Sequence, residues 1–328
     1  MMIATTRRRP WLTWTMTLLP TITLVGCGGD PGGAAAPGAG FGSSNSAKTL
    51  TEARRGFQTK LARRESANEP VEQPPEGVFQ VVRYTSPAGE LPAYLTPDPG
   101  DGKKHPAIIW ITGGDCNTIG DVWSKADPKN DQTAAAYREA GLVMMFPSLR
   151  GGNQHPGPRE GFLGEVDDVL AAADYLAKQT YVDPKRIYLG GHSTGGTLAL
   201  LVAESTDRFR AVFAFGPVDS PNNYPDQYVP FNRLDDKELA VRSPDRWLSS
   251  VACPTFVLEG TLGNLFALRE MARVSRNPLL HFHEIEGADH FNALGPTNKL
   301  IASKILKDDG PTTNLEFTAD ELKPRAGG

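Results

Sequence analysis

Cysteine is scarce in this chain: three in 328 residues, at positions 27, 116 and 253. Three cysteines cannot build a disulfide framework. Cys116 follows one expected strand and Cys253 precedes another, which puts them at opposite ends of a parallel sheet and out of bridging range. Both are expected as free, packed thiols. Long basic runs are also missing, and the formal net charge is −4. Nucleic acid is therefore not an expected partner. No apolar stretch is long enough for a stable membrane span. The composition is 39% hydrophobic and 22% charged, an ordinary globular balance that leaves room for one large α/β domain with extensions.

The first residues carry a different signal. Arg7, Arg8 and Arg9 precede a short, Thr-diluted apolar segment from Trp11 to Val25, broken by Pro20. This is export-signal composition. It ends in Leu24-Val25-Gly26-Cys27, which resembles the lipobox of bacterial lipoprotein precursors. The resemblance implies cleavage before Cys27, acylation of Cys27, and an anchor in the cell envelope. Gly28 in place of an aspartate favours the outer membrane, with the domain facing periplasm or exterior. Residues 28–47 are small, flexible and nearly uncharged, the composition of a tether with a reach of roughly 25 Å. Residues 48–77 read as an extension carrying a short amphipathic helix over 48–64, then a Pro-rich link at 70–75.

The globular pattern begins at Val78. Val78 to Tyr84 and Glu90 to Thr96 form a hairpin about Ser86-Pro87-Ala88-Gly89. Apolar runs at 106–111, 142–146, 186–189, 211–215, 255–258 and 280–285 read as strands. Helical segments at 131–140, 164–178, 194–204, 265–274 and 297–306 alternate with them. Strands of this kind alternating with helices imply a mostly parallel sheet covered on both faces, within residues 78–306. Residues 219–250 break the alternation and read as an insertion over the carboxyl edge. The tail, 307–328, reads as largely disordered.

Reactive residues in such a sheet gather at the carboxyl ends of the strands. Gly191-His192-Ser193-Thr194-Gly195 sits between an apolar strand and a Leu/Ala-rich helix. In that strand–turn–helix context Gly-x-Ser-x-Gly marks Ser193 as a nucleophile on a strained turn. His290, in Gly287-Ala288-Asp289-His290-Phe291 after the last strand, is the expected general base. His192 is expected to point elsewhere. Thr112-Gly113-Gly114-Asp115 offers backbone N–H groups for an oxyanion, from Gly114 and Asp115, with a second from Thr194. His281 and His283 share a strand face, but no further ligand set accompanies them, so neither metal nor cofactor is expected. Tyr224, Tyr228, Phe231 and Trp247 are read as shaping a pocket. Arg150 fits an ion pair with an acid such as Glu165 better than a substrate contact.

The span 78–306 resembles an α/β-hydrolase, and in particular the catalytic domain of the prolyl-oligopeptidase family and its dienelactone-hydrolase-like relatives. The motifs that carry the resemblance are Ser148-Leu149-Arg150-Gly151-Gly152, Gly164-Glu165-Val166-Asp167-Asp168-Val169, Tyr181-Val182-Asp183-Pro184-Lys185-Arg186-Ile187, the serine turn, and Gly287-Ala288-Asp289-His290-Phe291. The resemblance implies Ser193 as nucleophile, His290 as base, and Asp183-Pro184 as a turn into the nucleophile strand. It also implies an aspartate after the penultimate strand, where this chain reads Glu259-Gly260-Thr261-Leu262-Gly263-Asn264. Asn264 stands near the expected place but carries no charge. Asp219, after the preceding strand, is the preferred substitute acid, with Glu259 next. The residues ahead of the first strand show no blade-like repeat, so a β-propeller is excluded. The expected activity is that of a serine hydrolase acting on an ester or short peptide. The rival expectation is a non-catalytic lipoprotein module that has lost its acid. Oligomeric state is not fixed by the sequence.

Overall fold

The computed structural model describes residues 49–67, 69–155 and 157–323. The expected signal, the tether and Cys27 lie outside the described residues. Eight strands form one sheet: β1 (Gln80–Ser86), β2 (Gly89–Leu95), β3 (His105–Ile111), β4 (Val143–Pro147), β5 (Val182–His192), β6 (Val212–Phe215), β7 (Thr255–Gly260) and β8 (Leu280–Ile285). Their order is β1-β2-β4-β3-β5-β6-β7-β8. β1 and β2 form the antiparallel hairpin, and β2 also runs antiparallel to β4. From β4 through β8 every pairing is parallel. This is the α/β-hydrolase arrangement.

The helices are α1 (Leu50–Arg54), α2 (Ala135–Glu139), α3 (Glu165–Leu176), α4 (Thr194–Ala203), α5 (Asp236–Ala240), α6 (Leu265–Val274), α7 (Leu294–Ile305) and α8 (Ala319–Leu322). The central strands are largely buried, β4, β6 and β7 at every residue. Both of their faces are covered, which is why they read as continuous apolar runs without alternation. The period of two reappears as a division between two cores. Ile109, Ile111 and Leu189 join the side containing Val166 of α3 and Leu198 of α4. Ile108, Trp110 and Tyr188 join the side containing Tyr137 of α2 and Ile301 of α7.

β3 feeds β4 on one side, and the chain then crosses to β5 on the other. The loops leaving β3 and β5 therefore diverge at a topological switch point, the place where open α/β sheets bind ligands. Ser193 and Gly113–Asp115 flank that crevice.

Three expectations change. The N-terminal helix is only α1; from Arg55 the chain runs as an extended strap. The strap makes an antiparallel bridge from Leu61 to Phe231, and Ala62 and Arg63 donate to the Pro230 carbonyl. Its anchor, Leu50, is fully buried. Residues 307–323 are ordered against the sheet. Leu315, Phe317 and Leu322 are buried there, spaced too irregularly for either periodicity to reveal them. Arg150 pairs with Asp168 and Glu160 rather than Glu165: Nε and Nη2 each reach an Asp168 oxygen at 3.0 Å, and Nη1 reaches Glu160 at 2.7 Å.

The tail also braces the strand that carries the serine turn. Asp308 is fully buried. It accepts from Arg210 Nε and Nη2 at 2.7 Å each, Tyr188 Oη at 2.6 Å and Thr313 Oγ1 at 2.9 Å. Burial alone pushes its carboxyl up, but the hydrogen bonds from Arg210, Tyr188, Thr313 and the Asn314 N–H outweigh it. The net shift is down, from 3.8 to about 2. A carboxyl depressed in the folded state contributes stability above its unfolded value, and that contribution is lost as pH falls from 3.8 to about 2. Asp308→Asn is expected to lower the urea midpoint at neutral pH and to flatten its fall over that acid window. Equal acid slopes in the two proteins would assign the loss to other groups.

Candidate active site

β5 ends in two glycines and a histidine, and α4 begins one residue after Ser193. Ser193 has φ 54° and ψ −113°, a backbone conformation that an L-residue adopts only under constraint. The constraint is close approach. A Cβ on Gly191 would lie 2.4 Å from the Gly195 carbonyl oxygen, one on Gly195 would lie 2.3 Å from that of Ile111, and one on Gly196 would lie 2.3 Å from that of Phe215. Strands β3, β5 and β6 and helix α4 thus meet with no side chains between them. The turn is held by Ser193 N–H donating to the Phe215 carbonyl at 2.8 Å and by Thr197 N–H donating to the Ser193 carbonyl at 2.8 Å. Below it, Tyr224 Oη and Thr197 Oγ1 are 2.7 Å apart. Burial first of all keeps the Tyr224 phenol neutral.

The histidine loop arrives from β8. His290 Nδ1 stands 2.8 Å from Glu259 Oε2, with the glutamate side chain 1% exposed and the imidazole 21% exposed. The other Glu259 oxygen accepts the Gly260 N–H at 2.7 Å. A buried carboxylate can only accept, so Nδ1 carries the proton and Nε2 is the other, available nitrogen. The His290 ring lies against Gly216, the residue after the carbonyl that holds Ser193.

Asp219, the acid preferred from the sequence, is not on His290. Its Oδ1 accepts from Ser220 N–H at 3.0 Å and Asn223 Nδ2 at 2.6 Å, which turns it into the insertion. Asn264 is not there either; its Nδ2 reaches the Pro217 carbonyl at 3.4 Å. Glu259 takes the position because it stands inside β7 and its longer side chain reaches forward to the ring. Two glycines make room for the pair. A Cβ on Gly216 would come within 2.4 Å of His290 Cε1 and 2.8 Å of Glu259 Oε2, and one on Gly263 within 2.4 Å of Glu259 Oε1.

The third loop is fixed by side chains. Thr194 Oγ1 donates to the Gly114 carbonyl at 2.9 Å, tying the loop after β3 to the start of α4. Gly113 N–H donates to Gln132 Oε1 at 2.9 Å. Asp115 Oδ2 pairs with Arg159 at 2.7 Å. Beside Gly114, Asp115 and Thr194 a small pocket opens, lined also by Phe162, Tyr228, Pro230, Arg159 and Glu65. Tyr224 and Tyr228 belong to this region. Phe231 lies under the Arg242 guanidinium at 4.2 Å, and Trp247 Nε1 donates to the Ala240 carbonyl, so these two pack the insertion itself.

His192 does not point away. Its ring is 4.5 Å from that of His290. Gln132, which bonds both Gly113 and His192, was not singled out by the sequence; it lies in an irregular segment with no motif. No group of three or more His, Cys, Asp or Glu side chains suited to a metal ion occurs among the described residues.

The close approach at Gly216 gives a direct test. Gly216 and Gly287 both have positive φ, 56° and 77°, but nothing lies within 4 Å of a Cβ on Gly287. Gly287→Ala is expected to cost only backbone strain, about 1 kcal/mol. Gly216→Ala adds the collision with the Glu259–His290 pair and is expected to cost about 1–3 kcal/mol more. Urea unfolding measures both; equal losses would mean that the pair yields easily.

Comparison with known proteins agrees with this architecture. Residues 128–238 match the model of the prolyl oligopeptidase family. Dipeptidyl-peptidase 5 of Porphyromonas gingivalis is 31% identical over 125 residues, which span 36% of this chain and 18% of that protein. Prolyl endopeptidase of Elizabethkingia miricola is 28% identical over 135 residues, 38% of this chain and again 18% of the relative. The chain thus matches less than a fifth of the length of these relatives. Among solved structures, a puromycin-hydrolysing peptidase of Mycobacterium tuberculosis aligns with a TM-score of 0.53 at 22% identity, covering 70% of this chain and 39% of that one. A puromycin hydrolase aligns at 0.57 and 18%, covering 73% and 40%. At such identities the likeness concerns the fold. The chain therefore has the α/β-hydrolase fold and resembles the catalytic domain of the prolyl oligopeptidase family, with the sequence match centred on residues 128–238.

Proposed function

We propose that this protein is a serine hydrolase that cleaves a short peptide or a carboxylic ester through an acyl-enzyme on Ser193. The observation that carries this reading is the buried Glu259–His290 pair at 2.8 Å, set against the strained turn that holds Ser193. In this mechanism Ser193 Oγ attacks the substrate carbonyl carbon while His290 Nε2 takes its proton. Glu259 orients the ring and stabilises the imidazolium that results. The oxygen of the tetrahedral intermediate accepts from Thr194 N–H and from Gly114 or Asp115. Gly113 is excluded, because its N–H is already given to Gln132. Thr194 is the first residue of α4, so its N–H has no acceptor inside the helix, and the helix N-terminus favours negative charge. The C–N or C–O bond then breaks, and His290 returns the proton to the departing amine or alcohol. A water attacks the acyl-enzyme by the same route in reverse roles.

The non-catalytic reading rested on Asn264 standing where an acid was expected. Glu259 supplies a carboxylate from another position, so nothing now favours it. Peptide cleavage draws support from the family match and from the relatives named above. Ester cleavage draws support from the elbow and base alone, which acyl transfer to oxygen and nitrogen share.

We also propose attachment to the bacterial envelope through lipid on Cys27. It rests on the Leu24-Val25-Gly26-Cys27 motif and the small-residue segment after it. No helix of the described residues is long and apolar enough to cross a membrane.

Ser193 is expected to react with a fluorophosphonate probe, and Ser193→Ala to abolish both labelling and turnover. Labelling that survives the substitution would place the nucleophile elsewhere. Glu259→Gln is expected to lower kcat by about 10⁴-fold, by analogy with amide replacement of a triad acid. Asp219→Asn should leave kcat essentially unchanged; a large loss there with Glu259→Gln active would return the role to Asp219. Paired aminoacyl-amide and ester substrates decide the acyl acceptor. Mass analysis of the mature N-terminus decides lipidation, an unmodified Cys27 counting against it.

A further inference from the structure

His192 takes no part in the proton transfers above, yet it is 1% exposed and every polar atom of its ring is engaged. Nε2 lies 2.9 Å from the carbonyl oxygen of His290. A carbonyl only accepts, so Nε2 carries the proton and Nδ1 is the lone-pair nitrogen. Nδ1 is 2.7 Å from Gln132 Nε2, which must therefore donate to it. The same amide group gives its second proton to Asn130 Oδ1 at 2.7 Å and accepts the Gly113 N–H on Oε1 at 2.9 Å. Reversing the amide would set acceptor against acceptor and donor against donor, so the network admits one arrangement. It forms a continuous line from the backbone of the loop after β3, through Gln132 and His192, to the backbone of His290. The fit is tight: a Cβ on Gly113 would fall 2.7 Å from His192 Nδ1.

Resting on the serine-hydrolase reading, we propose that His192 is a positioning residue. Held as the neutral Nε2–H tautomer, it locks the loop of the general base to the loop of the oxyanion donors through Gln132. The two loops leave β3 and β8, strands separated in the sheet by β5, β6 and β7, and no sheet hydrogen bond joins them directly. His192 spans that gap from the strand that carries the nucleophile. Its neutrality has a physical basis in burial and the nearby His290, which hold its pKa down, from 6.5 to about 3. A protonated ring 4.5 Å from His290 would oppose formation of the catalytic imidazolium. A neutral ring holds the base without that repulsion.

The test uses the full chain and three variants, His192→Leu, His192→Gln and Gln132→Leu. Glutamine keeps an N–H donor near the imidazole Nε2; leucine has none. His192→Leu and Gln132→Leu are expected to remain folded by circular dichroism and to leave KM within about threefold, while kcat falls by about ten- to a hundredfold. His192→Gln should recover most of that loss. The double variant should be little worse than either single one, because both break one line. A kcat within about twofold of wild type in folded His192→Leu would overturn the proposal, as would His192→Gln being no better than leucine. Nitrogen-15 NMR of the histidine side chains reads the same link without turnover. It is expected to show His192 protonated on Nε2 only and not titrating between pH 5 and 8. A titrating ring, or the Nδ1–H tautomer, would overturn the link even if Ser193 proves unreactive. Loss of fluorophosphonate labelling in wild type with the tautomer intact would instead remove the hydrolase reading and leave the positioning contact standing.

Discussion

The backbone contact among β3, β5, β6 and α4 is the constraint on which the site depends. Three glycines, 191, 195 and 196, let main chain meet main chain where any Cβ would fall within 2.4 Å of a carbonyl oxygen. Holding a serine at φ 54° costs of order 1–3 kcal/mol. The surrounding sheet offsets that cost because the turn cannot relax without breaking the Ser193–Phe215 hydrogen bond and separating α4 from the strands. The same contact puts the N-terminus of α4 beside Gly114 and the Phe215–Gly216 step beside His290. Ser193, the N–H groups proposed for the oxyanion and His290 are thus indexed to one point.

The acid shows how a side chain's length substitutes for a position. An aspartate would have to stand in the loop after β7 to touch the ring. Glu259 stands in the strand itself, with its Cα fixed by pairing to β8, and its extra methylene covers the difference. The carboxylate is buried, and among the described residues it accepts from His290 and from its neighbour's N–H. Gly216 and Gly263 close around it. A carboxylate this buried interacts with its imidazole partner more strongly than an exposed one would, because its surroundings are less polar than water.

The layers legible from sequence were those set by local chemistry. Unbroken apolar runs gave the strands, since both sheet faces are covered. The Gly-x-Ser-x-Gly turn marked Ser193 as the candidate nucleophile, and the loop after the last strand marked His290 as the candidate base. The preferred acid, Asp219, lies in the loop after β6, whereas Glu259, the next choice, is the one beside His290; a one-dimensional pattern does not say which side chain turns toward the ring. In three dimensions Asp219 is captured by Ser220 and Asn223 of its own loop. Gln132 was invisible for a related reason: the sequence placed it at the start of an expected helix, whereas it stands in the turn before α2, and only the fold brings it between Gly113 and His192. The ordered tail was missed because its buried residues, Leu315, Phe317 and Leu322, follow no helical or strand period.

The strap and the insertion depend on each other, and this bears on what the site admits. Arg242 is fully buried and donates to Glu238 at 2.7 Å and to Thr59 Oγ1 at 2.8 Å. Glu238 in turn accepts from Thr59 Oγ1 and the Lys60 N–H. A buried arginine–glutamate pair is tolerated only where its remaining hydrogen-bonding groups are satisfied. Here the strap satisfies part of them, alongside the Glu160 and Glu238 carbonyls, so it helps to hold α5 and the segment before it. That segment carries Tyr228 and Pro230, and the strap itself carries Glu65, all three on the wall of the pocket beside Gly114 and Thr194. Residues well over a hundred positions from Ser193 in the chain therefore help to shape the pocket beside Gly114 and Thr194. The relatives of this chain are several times longer than the region they share with it, whereas its own pocket is closed on one side by a short strap. The strap, rather than the Ser193 turn, is the part of this pocket wall that comes from farthest along the chain.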